Sequence, residues 1–506
     1  MRSRMFGPTA ISLCGAVVLT LMTTAGADTP LVNVSGGSAL FAAGCDGGGG
    51  EGTNAAGSEV EPRLAVDPAD PAHAVGAWQQ DRWSTGAAHG LVSAMTRDGV
   101  HWTRSFAHFS RCAGGTAANH GDYERASDPW VDFAPNGDVY QTSLSVTLSK
   151  GISAVLVSRS GDGGATWGEP VTLRRDTSGA FNDKEAVTAD PTDPTGRRVY
   201  VVWDRLQGAD VPAVPVGAPD LPARGPTWFA RTTDGGVTWE PSRPIYDPGV
   251  GRQTIGNQIV VLPDGTLLDG FAFGTAALDE EQAGGDTPGG PLADAERKVT
   301  TGLSVGVIRS TDQGRTWSEP VVVGEIRPGE NAERLRAGQI LPEFAVDRRS
   351  GTVAAVWSDA RFSPTRQPAV ALSTSADGGR TWSAPARVNR TPPAVAAFLP
   401  SVAFAGDGTI GVTYYDFRNR PTGAQPLTTD AWLARCPLEC NQDAGWSETH
   451  LGGPFDTSKA PDSDGYFLGD YQGLAGFGAG RFRAFFVQAE PGTSDDPTNV
   501  FTTEVG

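Results

Sequence analysis

The stretch "STDQGRTW" at residues 310–317 sets a hydroxyl, a carboxylate, a glycine and a tryptophan at fixed offsets. The pattern S/T-x-D-x-G-x-T-W returns as "SGDGGATW" (160–167), "TTDGGVTW" (232–239) and "SADGGRTW" (375–382). A copy one residue short reads "TRDGVHW" (96–102), and a degraded one, "CNQDAGW", ends at Trp446. Each part has a structural task. The Asp and Ser/Thr side chains accept backbone N–H groups within a tight turn. The glycine tolerates positive φ, and the indole is large enough to wedge between neighbouring sheets. Successive tryptophans lie 65, 72, 78, 65 and 64 residues apart, which is one four-stranded sheet per period.

A second repeat marks hairpins: an apolar strand, a Gly/Asp/Pro turn and another apolar strand. It runs through 62–78, 128–144, 185–203, 257–273, 343–357, 401–415 and 471–488, for example "DPWVDFAPNGDVYQTSL" (128–144). There are seven hairpins but six box positions. After the seventh hairpin only one strand, "TNVFTTEV" (498–505), precedes the end of the sequence. The missing strand is expected at the other end, where "TPLVNV" (29–34) matches fourth strands such as "EPVTL" (169–173) and "EPVVV" (319–323). Pairing of 29–34 with 498–505 would hide the sheet edges of an open array. The expected fold is therefore all-β, a seven-bladed β-propeller closed by an N-terminal strand, with six blades as the alternative.

The boxes resemble the Asp-box, or BNR, repeat of sialidase-like β-propellers. That resemblance implies boxes on the turn between third and fourth strands, away from any active site. It also implies an exo-α-sialidase type of glycoside hydrolase, cleaving terminal acidic sugars from glycans. The alternatives are a non-catalytic glycan- or protein-binding propeller, or a glycan-cleaving enzyme of other specificity such as a lyase or arabinanase.

Composition narrows the field. The chain has 506 residues and a net charge of −18. That argues against a nucleic-acid partner, which needs a basic surface, and against an anionic membrane surface. Arg2 and Arg4 precede an apolar run from Ile11 to Met22, and "AGA" (25–27) offers small residues for cleavage, so 1–27 reads as a secretory signal peptide. Residues 28–506 form one expected domain, exported, extracellular and monomeric. Cys45, Cys112, Cys436 and Cys440 then suggest two disulfides, Cys45–Cys112 and Cys436–Cys440. Zinc is the alternative, against which stands the lack of an accompanying histidine pair. No cofactor is expected. "DSDG" (462–465) reads as a turn or as oxygen ligands for calcium.

The first-to-second-strand turns are short, so the long connections fall on the opposite face, where binding is expected. Second strands finish there in "QQDR" (79–82), "WDR" (203–205), "WSDAR" (357–361) and "YYDFR" (415–418). First strands begin near Arg63, Asp128, Glu185, Glu343 and Tyr471. Asp–Arg pairs at these ends would tie blades together. The family resemblance gives the same ends another role. It implies a tyrosine nucleophile assisted by a glutamate, and three arginines that grip a carboxylate in matching fork geometry. Carried onto this sequence, "PRLAV" gives Arg63, "EFAVDRRSGTVAAVWSDAR" gives Glu343 and Arg361, Arg418 takes the third arginine place, and "DYQGLAGF" gives Tyr471. The acid/base aspartate is expected between the first blade's second strand and its box. Asp81 is the nearest acid there, with His89 following.

Overall fold

The computed structural model describes residues 30–36, 40–42, 44–45, 52–208, 224–276, 299–330, 333–337, 340–421, 426–437, 445–490 and 496–506. The expected signal peptide, Cys440 and most of the degraded box lie outside them. Among the described residues the chain is all-β, interrupted by three-residue 3-10 turns. No helix there is long and apolar enough to cross a membrane.

The strands pair in seven successive antiparallel runs. The first comprises Asn54–Val66, Ala74–Trp83, Ala88–Thr96 and Trp102–Ser105. The second comprises Arg125–Phe133, Val139–Thr147, Ile152–Ser160 and Val171–Asp176. The third to sixth begin with Ala180–Ala189, Arg252–Val261, Glu343–Val346 and Ala397–Phe404. The seventh is Gly473–Phe477, Arg481–Ala489 and Thr498–Val505. Val32–Asn33 completes it antiparallel, with Val32 opposite Thr502 and Asn33 opposite Phe501. Single pairings, Ala88 with Ala126 and Ser58 with Thr498, join the seventh, first and second runs into one hydrogen-bonded sheet.

The first strands touch in cyclic order: each contacts the next, and Gly473–Phe477 contacts Asn54–Val66. Together they line one cavity of about 480 Å³, to which Leu64, Val131, Val187, Ile259, Phe344, Val402 and Leu474 each contribute from a different run. This follows from alternation. Residues on one face of each first strand point to the shared axis, and those on the other face pack between runs.

The boxes act as the sequence predicts. In the one at 310–317, Asp312 accepts the Thr316 N–H (2.9 Å) and hydroxyl (2.7 Å), while Ser310 Oγ accepts the Gly314 N–H at 2.8 Å. Asp162, Asp234 and Asp377 repeat the arrangement. Gly314 sits at φ +80°, and a Cβ there would lie 2.5 Å from the Phe229 ring of the preceding run. Trp317 meets the same ring edge-on at 5.7 Å. The box therefore closes a turn and locks it onto its neighbour. Cys45 and Cys112 are bonded, as expected, with Cα atoms 5.2 Å apart.

Hydrogen bonds from the threonine hydroxyl and N–H hold the Asp162 and Asp234 carboxyls at about 2. A depressed native pKa stabilises the fold fully above the unfolded value of ~3.9 and ceases to do so as pH falls towards about 2. Asp162→Ala is expected to lower the melting temperature at neutral pH by about 2 °C and to leave part of this acid dependence missing in a pH series of thermal melts. Deleting residues 28–35 exposes the edge of Thr498–Val505 and should destabilise all the runs in one transition. Separate melting of the seventh run, or no change, would contradict this.

Candidate active site

Five of the seven first strands share an irregularity. Their pairing shifts register between Val60 and Arg63, Ser127 and Trp130, Asp183 and Ala186, Ile255 and Gln258, and Phe398 and Ser401. Within these bulges Glu61, Asp128, Lys184 and Leu399 adopt positive φ of 49–56°. Such strain is retained where the surroundings fix it, commonly near functional sites. Here it brings charged residues together beside Tyr471, which lies two residues before the first strand of the seventh run.

Tyr471 is buried, and its hydroxyl has no hydrogen-bond partner among the described residues. Lys184 Nζ lies 3.7 Å from the centre of its ring. The Trp130 ring centre is 5.9 Å away and the Arg63 guanidinium 5.8 Å. Burial raises the Tyr471 pKa well above its ordinary value, and the charges of Glu61, Asp128 and Glu185 raise it further. Glu185 is itself buried, with neither carboxylate oxygen partnered among the described residues; burial, then Asp128, push its pKa well up. Asp128 is raised by burial against the opposing pull of Lys184 and Arg82.

Two further guanidinium groups border this cluster. Arg82 and Arg336 each stand 4.5 Å from the centre of the Phe467 ring. Arg82 donates to Gln79 Oε1 (2.7 Å), and Gln79 donates to Ser127 Oγ (2.9 Å) and to Glu61. Arg336 pairs with Asp470 at 2.7 Å. A short parallel pairing, Leu335–Arg336 with Tyr466–Phe467, fixes this strap.

The sequence-derived residues divide between places. Arg63 meets the Tyr471 ring, yet its two terminal nitrogens grip both oxygens of Glu343 at 2.8 and 2.9 Å. Its guanidinium also stacks on Trp130, 3.4 Å from the ring centre. Glu343 is thus held by Arg63, and the carboxylates that act on the Tyr471 hydroxyl are Glu61, Asp128 and Glu185. Arg361 is bound to Asp359 (2.9 Å) and to the Glu325 carbonyl of the preceding run. Arg418 is bound to Asp416 (2.5 Å), Glu448 (2.7 Å) and the Tyr414 hydroxyl (2.9 Å). Arg205 grips Asp176 in the same manner. These three tie strand ends. Asp81 accepts from the Gly57 N–H (2.9 Å), Gln80 (3.1 Å) and His89 Nδ1 (3.1 Å); burial opposes its ionisation, but these bonds outweigh it and lower its pKa. "DSDG" is a turn in which Asp462 accepts the Gly465 N–H and pairs with Arg334.

Glu61, Lys184 and Arg336 were not singled out from sequence, and Arg82 entered only as the end of "QQDR". Lys184 carried a signal, being one of only four lysines in a chain with 40 basic residues. The E-P-R and D-P-W triplets at 61–63 and 128–130 carried another, since a proline cannot continue a central ladder and marks a bulge.

No family model matches this sequence. No curated protein matches it either. Among solved structures the backbone is similar to a Hadza microbial sialidase, Hz136 (15% identity, 85% of this chain and 73% of that chain covered, TM-score 0.45). It is also similar to a leech intramolecular trans-sialidase complexed with 2,7-anhydro-Neu5Ac (12%, 90% and 92%, 0.44) and to an ulvan lyase of polysaccharide lyase family PL25 (13%, 78% and 79%, 0.44).

Removing one member of a buried ion pair strands the other charge. Arg63→Ala should therefore cost about 3–5 kcal/mol in chemical denaturation, whereas Arg63→Met with Glu343→Leu should recover most of it. Equal losses in the single and double variants would show that the pair is not what matters there.

Proposed function

We propose that the seven runs close into a seven-bladed propeller and that the chain is an exported enzyme cleaving glycans at the Tyr471 cluster. One observation carries this reading: a buried tyrosine hydroxyl that has no hydrogen-bond partner among the described residues, acted on by the charges of Glu61, Asp128 and Glu185, with Lys184 against its ring. Burying such groups together is costly for a scaffold, and their perturbation fits proton transfer and nucleophilic attack.

In this reading Tyr471 is the nucleophile. Its raised pKa means that the phenol does not ionise alone near neutral pH, so its proton leaves to Glu61 as the oxygen attacks the anomeric carbon. Glu185, whose burial favours the protonated form, donates to the leaving oxygen. A neutral phenol approaches a sugar carboxylate without the repulsion a carboxylate nucleophile would meet. The cations Lys184 and Arg82 favour an acidic sugar at the subsite, in keeping with the sialidase type, while Arg63 and Arg336 are held by Glu343 and Asp470. Arg361 and Arg418 serve the ring. Asp81 is given no part in the chemistry.

A second reading is elimination, with Tyr471 as the base that removes a proton beside a uronate carboxylate. The contact of Lys184 with the Tyr471 ring favours it, because a cation there stabilises a phenolate. A panel of fluorogenic glycosides, sialosides included, run beside uronate-containing polysaccharides separates the two. Hydrolysis releases the fluorophore, and elimination gives an unsaturated, ultraviolet-absorbing product. Tyr471→Phe should lower kcat about 10²–10⁴-fold with folding nearly unchanged. Full activity in that variant would remove Tyr471 from the mechanism, and no turnover of any glycan would leave a binding propeller.

A further inference from the structure

The Tyr471 cluster is closed to anything as large as a sugar. Tyr471 is 2% exposed. The space among its charged neighbours, bordered by Glu61, Arg82, Asp128, Asp183 and Arg336, is about 10 Å³, room for one water at most. The axial cavity reaches Arg63, Trp130 and Glu343, but there Arg63 is gripped by both oxygens of Glu343, by the Gln472 carbonyl and by the Trp130 face. The strap supplies Arg336 to the border of the small space. From this placement we infer that the strap at residues 333–337 is a lid over the Tyr471 cluster, latched by Arg336 on Asp470, which lifts from Tyr466–Phe467 to admit the glycan. The inference rests on the reading of Tyr471 as the site of the chemistry.

The strap belongs to no run. It falls between the fourth and fifth, whereas its seat, residues 462–470, falls between the sixth and seventh, so the pairing joins connections that are not consecutive. Only two residues pair on each side, Leu335 with Tyr466 and Arg336 with Phe467, and the Tyr466 N–H donates to the Arg334 carbonyl at 2.8 Å. So short a parallel pairing has few ladder bonds to hold it. Arg334 pairs with Asp462 at 2.8 Å, but their side chains are 65% and 53% exposed, and a pair in water holds little. The firm attachment is Arg336, which donates to the Ser463 carbonyl (3.2 Å) and to Asp470 (2.7 Å) and lies over the buried Phe467 ring.

The seat is shaped to receive the strap. Gly465 sits at φ +126°, and a Cβ there would lie 2.5 Å from the Arg334 carbonyl oxygen, so the two backbones meet only because this residue is glycine. Arg334 holds a positive φ of 54° in that contact, strain of the kind found in segments with a switching role. The two closures of the cluster therefore differ. Opening the axial side means parting a buried ion pair from an indole face inside the packed first strands. Lifting the strap parts one buried ion pair, one exposed pair and a two-residue ladder at the end of the molecule where the long connections lie. The lid is the easier way in, and lids of this kind gate access and exclude water during the reaction.

The test reads the lid without a substrate. Hydrogen exchange of the intact chain is followed by mass spectrometry on peptides from 461–470 and 481–489. The Tyr466 N–H is shielded by the Arg334 carbonyl only while the strap is seated. It should exchange at least about tenfold faster than the amides of Arg481–Ala489, and Asp470→Asn should speed it about tenfold again through loss of one charge-assisted bond. Arg334→Ala, an exposed change, makes the same comparison if Asp470→Asn does not fold. Exchange as slow as that of Arg481–Ala489, or indifferent to both variants, would overturn the lid. A second arm joins Leu335→Cys to Tyr466→Cys by oxidation. The cross-link should slow Tyr466 exchange and stop turnover of whichever glycan the panel finds, and reductant should restore it, with the wild-type chain given the same reductant as control. Turnover at the wild-type rate with the cross-link formed would also overturn the lid. Fast, latch-dependent exchange with no glycan turned over would leave the lid standing and remove glycan cleavage instead.

Discussion

The pairing of Val32–Asn33 with Thr498–Val505 joins the two ends of the chain, and the rest of the arrangement depends on it. The contact is more than two ladder residues. Val34 donates to the Val500 carbonyl, and Ser35 Oγ accepts from Val500 N–H and meets Glu59 and Asn499. Glu59 is buried here and its pKa is well raised, chiefly by that burial, so the seam is built around a carboxyl shielded from water. A sheet edge left open would offer unpaired backbone groups. The seam also sets the site, because the Glu61 N–H donates to the Leu468 carbonyl at 3.2 Å, three residues before Tyr471. The carboxylate of the first run reaches the tyrosine of the seventh only because the ends meet.

Charge is concentrated on the same axis. Arg63, Glu343 and Trp130 line the cavity, and beyond that stack lie Glu61, Asp128, Glu185 and Lys184 around Tyr471. The Arg63–Glu343 pair has both partners satisfied. Among the described residues the tyrosine hydroxyl and Glu185 have no such partner, and an unpaired buried polar group is expensive. A molecule that tolerates this next to a well-made ion pair has its strain confined to one place, which is why the cluster reads as chemistry and the pair as support.

The sequence was legible wherever function and local geometry coincide. Box residues form their turn from six or so neighbouring positions, so "STDQGRTW" could be read without a fold, and the hairpins follow from alternation and turn residues alone. The N-terminal strand was legible because it repeats the apolar spacing of other fourth strands. The arginines were not. Arg361 and Arg418 have the composition of anion-binding groups, but Asp359, Asp416 and Glu448 saturate them, and a sequence does not record which carboxylate a guanidinium will meet.

What the sequence by itself determined, then, is the repeat: an all-β chain of boxed hairpins set by short-range spacing, an N-terminal strand that pairs with the last because it supplies the strand the repeat lacks, and a Cys45–Cys112 bond left once Cys436 is assigned to nearby Cys440. What only the tertiary structure decided is the company each charged residue keeps. Glu61, Asp128 and Lys184 come from three runs and converge because bulges turn those strands towards Tyr471, which stands just before the seventh. Leu335–Arg336, between the fourth and fifth runs, pairs with Tyr466–Phe467, between the sixth and seventh. Such neighbours are fixed by how separate sheets pack, a long-range property that no local pattern encodes.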